Sequence, residues 1–103
     1  VMEMKKFIEL HLTEDVTREE IAKAVHLNVD YAARIFKQEE GISIMDFLGK
    51  RRIIKAISLM QTTDMSISDV AYHSGFINSS HFSTLFKKTT GISPREFRSR
   101  DGG

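Results

Sequence analysis

The sequence has 103 residues, with no cysteine, no tryptophan, a single proline and no apolar run approaching the roughly 18–20 residues that span a bilayer. Each absence removes a class of protein. Without cysteine there is no disulfide scaffold, no thiol nucleophile and no zinc–cysteine site, and a reducing compartment is compatible with the chain. No membrane partner is expected, and the first dozen residues, interrupted by Glu3, Lys5, Lys6 and Glu9, do not form a secretory leader, so a cytoplasmic location is the expectation. An excess of one charge is missing too: 15 Lys and Arg face 14 Asp and Glu, a net +1 that does not by itself point to a polyanionic partner. With 41% hydrophobic and 28% charged residues the chain is neither disordered nor membrane-embedded. Its length fits one domain, or two very small lobes sharing a connecting element, and excludes a large multidomain enzyme. It begins at Val1 and not at a methionine, which leads us to expect a fragment of something longer.

Strand signals are nearly absent, while apolar residues recur at spacings of three and four between polar helix starters, so the fold class is all-α with about seven helices. Met4, Phe7, Ile8 and Leu12 give the first helix, 3–12, one apolar stripe. Thr17 and Glu20 have capping-box spacing and open a short helix through Val25. Asn28 caps a third helix that stops at Gly41, and Ser43 with Asp46 starts a long one over 44–62, roughly 28 Å at 1.5 Å per residue. Its apolar positions are Ile44, Leu48, Ile53, Ala56, Ile57, Leu59 and Met60. The pattern then restarts: Ser66 and Asp69 cap a short helix ending near Ser74, Gly75 breaks it, Asn78 or Ser79 caps another through Thr90, and Ser93, Pro94 and Glu96 place a last turn containing Phe97.

The restart is an internal repeat. Phe36, Lys37, Gly41, Ile42, Ser43 and Phe47 recur fifty positions later as Phe86, Lys87, Gly91, Ile92, Ser93 and Phe97, and Asn28 pairs with Asn78. Ile21 and Ala22 match Val70 and Ala71 at an offset of 49, so the second copy carries one extra residue, assigned to Ile77 in its turn. Each unit is a short helix, a tight turn and a second helix. Spacing alone leaves two readings open: helix-turn-helix units that project a recognition helix into a DNA major groove, or two packing hairpins in a small bundle.

The run from Ser80 to Arg98, with Phe82, Phe86, Lys87, Gly91, Pro94 and Phe97 at fixed spacing, closely resembles the signature of the AraC/XylS family of bacterial transcription regulators. The resemblance includes Asn28 to Phe36, Gly41, Arg52, Ile53 and Ala56. It implies a DNA-binding domain over 1–103, with two helix-turn-helix lobes (3–41 and 66–98) joined by a long linker helix (44–62) and followed by a frayed tail (99–103). It further implies sequence-specific binding of double-stranded DNA at two adjacent half-sites in the major groove, for regulation of bacterial transcription. An effector or receiver domain is expected in an N-terminal part, and RNA polymerase is a further partner. No cofactor is expected.

By resemblance, Asp30, Ala33 and Arg34 fall where the family reads bases, and the guanidinium of Arg34 suits a two-pronged contact with guanine. Asp30 precedes it by four residues, which suits an intrahelical ion pair. The second recognition helix offers Ser79, Ser80, His81, Ser83 and Thr84, short side chains apart from the histidine, whose protonation would add a DNA-facing charge; relaxed specificity is expected at its half-site. Lys37, Lys87 and Lys88 suit phosphate contact, as do the helix starts at Thr17 and Ser66, the first made less hospitable by Glu19 and Glu20. Lys50, Arg51, Arg52 and Lys55 form a basic cluster on the linker helix, where the resemblance gives Arg52 a bracing role.

Phe36, Phe47, Phe86 and Phe97 read as core, and the five methionines as gap fillers. His11, His26 and His73 lack ligand spacing, so no metal site is expected. No nucleophile–base pair or phosphate-binding glycine loop is present, and an enzyme is not expected. A protein-interaction module is the competing class. It draws on an uneven charge distribution: through Leu48 ten acidic residues face six basic ones, a net −4, and from Gly49 nine basic residues face four acidic ones, a net +5.

Overall fold

A computed structural model describes residues 1–101. Among them are seven helices and no strand: α1 (Met2–Leu10), α2 (Arg18–Ala24), α3 (Val29–Glu40), α4 (Ile44–Thr62), α5 (Ile67–His73), α6 (Ser79–Thr90) and α7 (Pro94–Asp101). The chain divides within α4 into two compact units, one over Val1–Arg51 and one beginning at Arg52.

In the first unit, Met4 and Ile8 from α1, Ile21 and Ala22 from α2, Ala32 and Phe36 from α3, and Ile44 and Leu48 from α4 make one core. α1 stops two residues earlier than its apolar stripe suggests; the N–H of His11 caps it on the Phe7 carbonyl, and Leu12 is buried in the turn beyond. Alanine at 22 and 32 leaves α2 and α3 room to cross without a void. The Phe47 ring meets Phe36 edge-on at 5.4 Å and closes the lobe.

The second unit repeats this plan with Ile53, Ala56 and Met60 of α4, Val70 and Ala71 of α5, and Phe82 and Phe86 of α6. Phe97 meets Phe86 edge-on at 5.6 Å, as Phe47 meets Phe36. Position 98 breaks the repeat. Where the first lobe buries Leu48, Arg98 sends Nη1 to the Met65 carbonyl, while its Nη2 is buried without a partner. Two other expectations change. Met4 and Met60 are buried, but Met2 and Met45 are exposed and fill no gap. α7 runs through Asp101, so 99–101 are helical and not a frayed tail; Gly102 and Gly103 lie outside the described residues.

The turns between α2 and α3 and between α5 and α6 are built alike. Leu27 N–H returns to the Ala22 carbonyl (2.9 Å) and His26 N–H to Lys23 (3.1 Å); Phe76 N–H returns to Ala71 (3.0 Å) and Gly75 N–H to Tyr72 (3.1 Å). This is the Schellman arrangement, in which a left-handed residue reverses the chain and the next one packs back on the helix. The left-handed positions are His26, at φ 59, and Gly75, at φ 100. Gly75 takes that conformation without steric conflict, whereas His26 bears the clash of a Cβ.

Gly75→Ala is therefore expected to destabilise the second lobe by about 1–2 kcal/mol. The reverse exchange, His26→Gly, should stabilise the first by about 0.5 kcal/mol, the relieved strain less the extra chain entropy of glycine. Urea unfolding of the two variants beside the parent checks both signs.

Candidate nucleic-acid interface

α3 and α6 begin with the same device. Asn28 Oδ1 accepts from the N–H groups of Asp30 (2.9 Å) and Tyr31 (3.3 Å), and Asn78 Oδ1 accepts from those of Ser80 (2.8 Å) and His81 (3.1 Å). The caps satisfy two otherwise free backbone donors in each first turn, so these helices meet a ligand mainly with side chains. Both end on a left-handed glycine, Gly41 or Gly91, whose N–H bonds to the carbonyl of Lys37 or Lys87 at 2.8 Å.

Burying Ala32 and Phe36, and in the second lobe Phe82 and Phe86, fixes which face of each helix turns outward. On α3 that face carries Asp30, Tyr31, Arg34 and Lys37, and on α6 it carries Ser80, His81, Thr84 and Lys87, position for position. Ser79 and Lys88 are exposed as well. Ala33 and Ser83 occupy equivalent half-buried positions, with Ala33 packed partly against the first core.

The structure changes one expectation about partners. Arg34 does not pair with Asp30; its guanidinium carbon lies 5.5 Å from the centre of the Tyr31 ring, one helical turn back. Tyr31 is 44% exposed, a large aromatic on the outward face that the sequence reading passed over. Its signal was available, since fifty positions on it corresponds to His81. The His81 ring itself lies 5.7 Å from Phe76.

At Thr17 the capping box is complete: its hydroxyl accepts from Glu20 N–H (3.2 Å) and donates to the Glu20 carboxylate (3.1 Å), which also takes the Thr17 N–H (3.3 Å). Neither donor remains for a phosphate. Ser66 caps α5 by accepting from Asp69 N–H (3.1 Å), with its hydroxyl proton still available. The basic cluster on α4 is also divided. Arg51 binds Glu9 of α1, while Lys50 and Lys55 are exposed. Lys5, also on α1, pairs with Glu40 at the end of α3. No acidic residue occurs in the first turn of α6, and Lys87 and Lys88 fill its last turn; α3 carries Asp30 and Lys37 at those places.

A family model described as a helix-turn-helix domain matches residues 21–100. The chain is 38% identical over 96 residues to the HTH-type transcriptional activator RhaS of Enterobacter sp. (strain 638), covering 93% of this chain and 34% of that protein. It thus spans about a third of the length of the curated relatives it matches. A solved transcriptional regulator with an AraC-type DNA-binding domain, from Chromobacterium violaceum, superposes with a TM-score of 0.90 at 28% identity, over 97% of this chain and 89% of that one. The DNA-binding domain of AdpA, a global transcriptional factor solved in complex with a target DNA, superposes with a TM-score of 0.90 at 25% identity, over 96% of this chain and 89% of that one. The chain belongs to the AraC/XylS family of helix-turn-helix DNA-binding domains.

The two caps set a prediction. Asn28→Ala and Asn78→Ala should each lower stability by about 1 kcal/mol, and Asn→Ser at either place should recover most of the loss. Thermal melts followed by circular dichroism measure the difference.

Proposed function

We propose that this chain binds double-stranded DNA sequence-specifically to regulate bacterial transcription, with α3 and α6 each entering the major groove at one of two adjacent half-sites. The observation that carries the reading is that the two capped helices turn equivalent positions outward at an offset of fifty, with polar or charged side chains at nearly all of them and a lysine shared at 37 and 87.

On α3, Arg34 reads a guanine through O6 and N7, and the Tyr31 ring beneath it restricts where the guanidinium lies before DNA arrives. Asp30, free of Arg34, is available to accept from a cytosine amino group. Ala33 offers a methyl of its own at the edge of the contact. On α6, Ser79, Ser80, His81, Ser83 and Thr84 donate and accept singly, which gives a more permissive half-site. Lys37, Lys87, Lys88 and the Ser66 hydroxyl hold phosphates, and they position the helices without choosing a sequence.

The acidic first part of the chain, with Asp15, Glu19 and Glu39 exposed, leaves a surface for RNA polymerase, and a preceding effector or receiver domain supplies regulation. The domain performs no catalysis and works in the cytoplasm. Among the described residues no helix is long and apolar enough to cross a membrane.

Selection from random duplexes, followed by affinity measurement across a salt series, tests this reading. Log affinity for the selected duplex should fall linearly with log salt. Lys87→Ala should weaken all sequences alike and reduce the salt slope by about one, whereas Arg34→Ala should cost about 1–3 kcal/mol at one base pair and relax the preference there. Tyr31→Phe should keep that preference and Tyr31→Ala should lose part of it. Salt-insensitive binding, or no selected sequence, rejects the proposal.

A further inference from the structure

Ile77 is the most exposed of the large hydrophobic residues described, at 87%. Its position follows from the repeat. In the first lobe Leu27 follows the left-handed residue, packs on the core and leads directly into the cap Asn28. In the second, Phe76 takes the same place after Gly75, with its N–H on Ala71 as Leu27's is on Ala22, and it is buried. One more residue, Ile77, then intervenes before Asn78. An apolar residue just before a helix cap often packs on the fourth helical position as a staple. That position is Phe82, already fully buried beside Phe76, with ring centres 5.2 Å apart. The core is complete without Ile77, and the inserted side chain is left in water.

We propose that Ile77 is a specificity-determining residue that reads the C5-methyl group of a thymine beside the second half-site. This rests on the DNA-binding reading above. Ile77 stands one residue before the cap of α6 and two before its first turn, the turn from which a recognition helix contacts base edges. The thymine methyl is the one apolar group the major groove presents, so an unpartnered apolar side chain at that place has a single complementary feature among the bases. The neighbouring donors and acceptors of α6 are short and permissive, so a methyl contact adds discrimination that their hydrogen bonds do not supply. The first lobe, with no inserted residue, has no counterpart to this contact.

The test uses the selected duplex with thymines in and beside the second half-site replaced singly by deoxyuridine, which removes only the methyl. In the parent, one replacement should weaken binding about threefold to fivefold, the transfer value of one buried methyl. In Ile77→Ser the same replacement should have no effect, and the thymine preference should vanish from a repeated selection. Thermal stability should be unchanged because the side chain packs on nothing. A deoxyuridine penalty that persists in Ile77→Ser, or no penalty at any thymine in the parent, overturns the inference while salt-dependent binding to the duplex still stands. If Ile77→Ser leaves binding untouched but abolishes recruitment of RNA polymerase, the residue meets protein and the inference fails. Loss of salt-dependent binding by the parent would instead be a failure of the underlying reading.

Discussion

A helix that presents its first turn to another molecule still has to satisfy the backbone N–H groups of that turn. In both lobes an asparagine amide does so, and the remaining features of each lobe are arranged around that cap. Asn28 and Asn78 accept two N–H groups each, which fixes where α3 and α6 start. Two or three residues earlier, a left-handed residue reverses the chain so that Leu27 or Phe76 faces the core. With start and reversal set, burial of the two inward positions, Ala32 with Phe36 and Phe82 with Phe86, settles the rotation of each helix about its axis. The outward residues then have no freedom of phase left.

Electrostatics act on top of this frame. Arg34, with a tyrosine ring beneath it, retains its full charge for a ligand, whereas an ion pair with Asp30 would have neutralised it. On α1, Lys5 and Arg51's partner Glu9 are committed to ties within the first lobe. Those pairs are partly exposed, so each adds little stability, and their larger effect is to remove charges from the pool available to a partner. The free cations of the recognition helices, Arg34, Lys37, Lys87 and Lys88, are therefore a larger share of the usable positive charge than the composition suggests.

What was legible in the sequence follows the range of the interactions. The caps at Thr17, Ser43, Ser66 and Ser93 involve partners three residues away and were readable from spacing, and the repeat made the second lobe a check on the first. The left-handed turn was readable at Gly75 but not at His26, where no glycine marks it and only the offset of 49 betrays it. Arg34 had candidate partners at three and four residues' distance, and the direction in which the side chains leave the helix, rather than spacing, chose Tyr31 over Asp30. Arg98 escaped because the Met65 carbonyl lies 33 residues away in sequence. The inserted residue at 77 was found by counting, but its exposure depended on Phe76 having filled the core.

The two lobes share a buried scaffold and differ on the surface it supports, with an arginine on a tyrosine in one and a row of hydroxyls behind an isoleucine in the other. Two identical readers in tandem would find the same sequence twice. On the proposed reading, two unlike readers on one chain recognise a site with a beginning and an end, so a single copy of the domain would read DNA as a directed text. A regulator carrying it would need no partner copy to distinguish upstream from downstream.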